Sequence, residues 1–158
     1  MFRVSKLTDY GMVVMAALAR RPERVRAAAE IATETGIAQP TVSKILKTLT
    51  RESLVDSFRG VNGGYRIAAD PKTLSVAHII SALEGPIALT ECSSAGADGC
   101  DQVDGCTIRG NWQAINDAVR EALDNVTLAQ FAQPAGVSAN YMDGKYGDRK
   151  VIPILSAS

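Results

Sequence analysis

The feature that most constrains this chain is the run from residue 27 to residue 68, where two short helical patterns meet at a glycine and lead straight into two strand-like runs. Ala27-Ala28-Ala29-Glu30-Ile31-Ala32-Thr33-Glu34-Thr35 reads as a short helix closed by Gly36, and a second helix opens with Pro40 near its first position. Glycine after a helix and proline at the start of the next are where each costs least. Two helices joined by a glycine-containing turn of about four residues make a helix-turn-helix. On the second helix Val42, Ile45, Leu46 and Leu49 share one side while Lys44, Lys47 and Arg51 share another, at roughly 100° per residue. Leu54-Val55-Asp56-Ser57-Phe58-Arg59 and Tyr65-Arg66-Ile67-Ala68 then flank Gly60-Val61-Asn62-Gly63-Gly64, a hairpin with an Asn-Gly turn signal. A hairpin directly after such a helix is a wing. The expected fold is therefore mainly α with a small β-hairpin, a winged helix-turn-helix over residues 1–70.

A basic stripe alone is also what a solvated helix face looks like, so the surrounding residues must decide its use. Gln39, Thr41 and Ser43 stand at the N-terminal end of the second helix, where a recognition helix presents hydrogen-bonding groups to base edges in the major groove. Arg59 and Arg66 at the base of the hairpin, with Asn62, Gly63 and Gly64 at its tip, can approach phosphates closely, a contact that positions without reading sequence. A nucleotide-binding glycine loop fits less well, because no Gly-Lys-Ser/Thr follows and these glycines open no helix. Charge agrees with a polyanion partner: residues 1–70 hold eleven Lys/Arg against seven Asp/Glu, whereas residues 71–158 hold six against ten. A neutral total thus conceals a basic half and an acidic half.

All three cysteines fall in one stretch, Cys92, Cys100 and Cys106, spaced C-x7-C-x5-C. Between Glu84 and Cys106 there are five carboxylates and no Lys or Arg. Small residues and glycines there favour a loop that buries little, and one that a cationic, thiophilic group would order. A disulfide would leave one thiol over and is disfavoured in a reducing compartment. A closed zinc site needs four ligands, usually in close pairs that are missing here, and the one histidine, His78, lies in a helical pattern as an ordinary helix residue. An iron–sulfur cluster tolerates wider spacing and a non-cysteine fourth ligand. The spacing by itself leaves a metal site and a plain thiol-bearing loop both open.

Elsewhere, Leu7, Tyr10, Val13, Val14, Ala17 and Leu18 recur at helical spacing, so residues 8–20 read as a first helix with Thr8 as N-cap and Asp9 in the first turn, where the helix dipole favours a carboxylate. Ser75 to Leu83 reads as a helix linking the winged region to the cysteine loop, ended by Gly85-Pro86, so that residues 71–89 form a linking segment and 90–110 the loop. Gly110-Asn111 opens a longer helix on which Trp112, Ile115, Val119, Ala122 and Val126 alternate at steps of three and four, an a/d seam. The seam can pack on its own domain or on a second copy. Because the winged domain already has a core, residues 111–132 are expected to form a dimerisation helix and following turn, with residues 133–158 a disordered tail. No apolar run near the start is long enough to span a bilayer, so a soluble, cytoplasmic chain with no membrane partner is expected. No nucleophile–base pair stands out; an enzyme acting on a small-molecule substrate is the least expected class.

Leu7-Thr8-Asp9-Tyr10-Gly11, Phe58-Arg59-Gly60-Val61-Asn62-Gly63-Gly64-Tyr65-Arg66, and Leu89-Thr90-Glu91-Cys92 leading into C-x7-C-x5-C together resemble the family of iron–sulfur winged-helix repressors that includes IscR, NsrR and RirA. Glu84-Gly85-Pro86 and Arg109-Gly110-Asn111-Trp112 look most like the regulators of the Suf cluster-assembly operon within it. The similarity covers residues 1 to about 132. It implies a homodimer that binds double-stranded operator DNA and carries one cluster per subunit on Cys92, Cys100 and Cys106. In the IscR branch a histidine three residues after the last cysteine completes a 2Fe-2S site, but that position is Arg109, which cannot ligate. In the NsrR branch the aspartate of the first motif, from the other subunit, serves instead, and it matches Asp9. The resemblance thus implies a 4Fe-4S cluster with Asp9 of the partner subunit, a 2Fe-2S cluster being the alternative, in a repressor of Suf-type assembly genes that senses cluster status. A nitric oxide or redox sensor of the same family, and an iron–sulfur carrier or scaffold that does not bind DNA, are the competing functions.

Overall fold

The computed structural model describes residues 4–93 and 106–133, with Cys92 described by its backbone only. The tail after Gln133 lies outside the described residues. Helix α1 runs Lys6–Ala19 and begins earlier than residue 8. Its N-cap is Ser5, whose hydroxyl accepts the Thr8 N–H at 3.2 Å. Thr8 is the third residue of the helix and fully buried, whereas Ser5 has the extended backbone that an N-cap needs. The Ser5 N–H in turn donates to Glu84 Oε1 at 3.0 Å, fastening the start of α1 to the end of a helix far along the chain.

Helices α2 (Ala28–Thr35) and α3 (Gln39–Arg51) form the helix-turn-helix. Gly36 caps α2 at φ 70°, a left-handed conformation that glycine adopts without a Cβ penalty. Val42, Ile45, Leu46 and Leu49 are all fully buried against α1 and α2, each contributing roughly 1.5–3 kcal/mol of transfer free energy. That stripe fixes the rotation of α3 and leaves its charged side outward.

Strands β1 (Val55–Phe58) and β2 (Gly64–Ile67) pair antiparallel, Val55 opposite Ile67 and Phe58 opposite Gly64. Five residues therefore connect them, too many for a two-residue Asn-Gly turn. Instead Gly63 N–H donates to Gly60 O at 3.0 Å, so Val61 and Asn62 occupy the corners. The hairpin is also stitched to the chain ahead of α2: Arg26 and Tyr65 exchange two backbone hydrogen bonds of 2.8 Å each. At Gly64 a Cβ would collide with the Arg26 carbonyl, so only glycine allows this approach.

Helix α4 (Val76–Glu84) has the expected Ser75 cap and stops at Gly85, packing against α1 and α3. A single 3-10 turn follows at Glu91–Ser93. Helix α5 spans Arg109–Asp124, starting one residue before the expected Gly110. Within it only Asn116 is buried; Trp112 and Ile115 stay 38% and 48% exposed. Val126 differs from its expected place in the seam. It lies beyond the end of α5 and packs with Leu123 against the protomer's own core, because its carbonyl accepts the Val76 N–H at 2.8 Å and draws the chain back to α4. A capping box of Thr127 and Gln130 starts the short α6 (Leu128–Phe131), whose Leu128 closes the core.

Candidate nucleic-acid interface and metal-binding segment

The outward side of α3 carries Gln39, Lys44, Lys47 and Arg51, all exposed, with Thr41 and Ser43 partly buried at its N-terminal end. Lys44 and Lys47 have no ion-pair partner among the described residues. Arg51 is paired with Glu52 at 3.1 Å. On the wing, Arg59, Val61 and Asn62 are exposed, while Arg66 bonds Asp56 at 3.4 Å and lies 4.9 Å over the Phe58 ring. Such surface pairs hold only about 0–1 kcal/mol, so Arg51 and Arg66 remain available to a phosphate, whereas Lys44, Lys47 and Arg59 need give up nothing.

A buried arginine that sequence reasoning missed sets the frame of this face. Arg26 is 2% exposed. It donates to Ala17 O at 3.1 Å, to Glu30 Oε1 at 3.1 Å and to Glu34 Oε2, so one side chain ties the end of α1 to α2 while its backbone holds the wing. Burial opposes ionisation of Glu34, but the Arg26 hydrogen bond and charge, helped by Arg20, outweigh it and hold the carboxyl below its ordinary value. The only trace in the sequence is the spacing Arg26, Glu30, Glu34, two successive helical steps of four.

Of the proposed metal ligands, Cys100 and the Cys92 side chain lie outside the described residues. Cys106 is a half-buried free thiol immediately before α5. Asp9 is exposed, its carboxylate has no partner among the described residues, and it borders an open depression with Val4, Ser5 and Lys6. Among the described residues no three His, Cys, Asp or Glu side chains converge, as expected when two of the three thiols are not among them. His78 is an exposed residue of α4, bonded through its N–H to Ser75 Oγ at 3.2 Å. The residues present suit a thiophilic cation: a free thiol, an unpaired carboxylate, and an acidic stretch without a cation.

A family model described as Rrf2, iron-dependent transcriptional regulator, matches residues 4–134. This chain belongs to the Rrf2 family. It is similar to the HTH-type transcriptional regulator IscR of Escherichia coli (strain K12 / DH10B), 30% identical over 103 residues, 65% of this chain and 62% of that protein. The match thus spans less than two thirds of that relative's length. Among solved structures it resembles CymR (YrzC), the global cysteine regulator of B. subtilis, at 30% identity and TM-score 0.66 over 84% of this chain and 97% of that one. T. potens IscR superposes with TM-score 0.65 at 29% identity over 89% and 96%. The mainly helical architecture with a two-strand hairpin is that of these Rrf2 winged-helix regulators, and the chain is a DNA-binding transcriptional regulator and not an enzyme. No helix among its described residues is long and apolar enough to cross a membrane.

Proposed function

We propose that this Rrf2 regulator is a cytoplasmic homodimeric repressor of Suf-type cluster-assembly genes whose grip on operator DNA depends on an iron–sulfur cluster. Cys92, Cys100 and Cys106 are its thiolate ligands, and Asp9 of the partner subunit completes a 4Fe-4S site. The observation that carries this reading is the double use of α5: Cys106 leads directly into it, the turn bearing Cys92 packs on it, and the same helix leaves Trp112 and Ile115 exposed. A rearrangement of the cysteine segment therefore bears on the helix that presents the seam Trp112, Ile115, Val119 and Ala122 to a second copy, with Val126 fixing its end. When bound, the cluster supplies a redox-active centre whose potential follows its type, charge and hydrogen bonding.

The remaining work belongs to the chain's own groups. Residues 1–70 meet DNA: Gln39, Thr41 and Ser43 face base edges, and Lys44, Lys47, Arg51, Arg59 and Arg66 meet phosphates, with Asn62 and Gly63 at the wing tip and Gly64 at the start of β2 beside them. Residues 71–89 carry the winged region to the 90–110 loop, and 111–132 hold the two copies together. The spacing of two recognition helices must match two half-sites about one helical turn apart. Affinity can change by no more than the differential stabilisation of the two dimer shapes.

Anaerobic purification with iron, sulfide and Mössbauer analysis tests the reading, joined to anisotropy titration of a duplex bearing the suf promoter of the same genome. About four iron and four sulfide per subunit are expected for a 4Fe-4S site, with loss of the chromophore in Cys92→Ala, Cys100→Ala and Cys106→Ala and a shorter cluster lifetime in Asp9→Ala. Protein free of iron, or promoter affinity indifferent to loading and stripping, overturns it. A response confined to nitric oxide or oxidant would move the signal while keeping the site, and cluster transfer without salt-dependent duplex binding would make the chain a carrier.

A further inference from the structure

We propose that Asn116 is a positioning residue that fastens the Cys92-bearing turn to α5, so that both ends of the cysteine segment are mounted on the helix that presents the dimer seam. The inference rests on the cluster reading above for its consequence, but not for its geometry.

Asn116 is 4% exposed on a helix where no other residue is buried. Its Oδ1 accepts the Leu89 N–H at 3.0 Å. A buried amide is costly unless it is bonded, so a polar residue retained at the one enclosed site of α5 needs that bond to be made. From Leu89 the chain runs through a compact unit: Ser93 N–H donates to Thr90 O at 2.9 Å, and the Thr90 and Ser93 hydroxyls share a 2.8 Å bond. Cys92 sits inside this unit, three residues beyond the fastened amide. At the other end, Cys106 O accepts the Arg109 N–H at 3.4 Å at the very entry of α5. Arg109 and Asn116 are separated by seven helical steps, about 10 Å along the axis, so α5 is a rigid strut between the two anchor points. On the same helix Asn116 stands four residues after Trp112 and three before Val119, flanking the seam. Breaking the Asn116 bond would loosen the attachment of Leu89 to α5 and leave the Cys106 end fixed.

Wild type, Asn116→Ala and Asn116→Asp, which keeps an acceptor oxygen in the same place, distinguish this role from general packing. Amide hydrogen exchange on the metal-free full-length protein is the first readout. Asn116→Ala is expected to speed exchange across residues 86–93 at least tenfold while leaving α1 to α4 unchanged, and Asn116→Asp to restore most of the protection. The second readout is the rate at which a chelator strips iron from anaerobically loaded protein, expected to rise tenfold in Asn116→Ala and to be rescued by Asn116→Asp. Unchanged exchange over 86–93, loss of protection spread evenly over the whole molecule, or an aspartate variant no better than alanine would each overturn the proposal. Should wild type hold no iron, the cluster reading fails, and the exchange measurement still decides whether Asn116 fastens the turn.

Discussion

Lys44 and Lys47 stand exposed on α3 with no counter-charge among the described residues, so a phosphate would meet two cations already free of partners. Each that contacts a phosphate releases about one counterion. Lys44→Ala and Lys47→Ala should each flatten the slope of log K against log salt by about one unit, read by anisotropy over a salt series. The change should be smaller for Arg51→Ala, where Glu52 already competes for the guanidinium. Arg26 is the opposite case, a cation whose three sets of donors all point inward. Arg26→Ala leaves the Ala17 carbonyl without its donor and Glu30 and Glu34 with only the surface arginines Arg24 and Arg20, and should cost about 1–3 kcal/mol in urea unfolding. Arg26→Lys should recover only part of it, lacking the planar fork. The four-residue steps from Arg26 through Glu30 to Glu34 are visible in the chain, but the burial of Arg26 is not: it arises only when α2 lies against α1.

At the level of elements, Glu84 joins two helix ends. Hydrogen bonds from the Ser5 and Thr8 side chains and the Ser5 backbone hold its carboxyl below the ordinary 4.5, against a smaller opposing effect of burial. A carboxylate whose folded pKa is depressed contributes stability that is fully present above its unfolded value and is lost as pH falls through the folded one. The melting temperature of wild type should therefore drop faster below pH 4.5 than that of Glu84→Gln, with the two curves parallel above pH 6; Glu34 adds to the same acid limb in both. Parallel curves throughout would remove Glu84 from the account. The caps show what local sequence can and cannot specify. Gly36, Pro40 and Ser75 act where local rules place them, since each needs only its neighbours. Ser5 does not, because choosing it over Thr8 requires knowing which of the two has the extended backbone. The Asn62-Gly63 signal likewise yields to a register that leaves five residues in the wing loop.

For the whole molecule, the proposed dimer rests on the exposed side of α5. Ile115 is nearly half exposed, so Ile115→Lys should leave the protomer's melting temperature within a few degrees. It should shift the sedimentation coefficient from dimer to monomer and weaken promoter binding by at least about tenfold, since one half-site alone lacks the avidity of two. A dimer that survives would place the interface elsewhere. The repeating pattern on α5 was readable from spacing, but not its end: Val126 matches the seam in sequence and is claimed by α4 in space. Asn116 was unreadable for a related reason, because its partner is a backbone amide 27 residues away.

The two backbone bonds between Arg26 and Tyr65 bear on how any signal can reach a promoter. They join the hairpin to the segment that leads into the helix-turn-helix, so the wing and the start of α2 are held together in the reading head. Tilting the wing away from that segment would break both bonds, so in the proposed dimer a signal acts more readily on the distance and angle between the two heads.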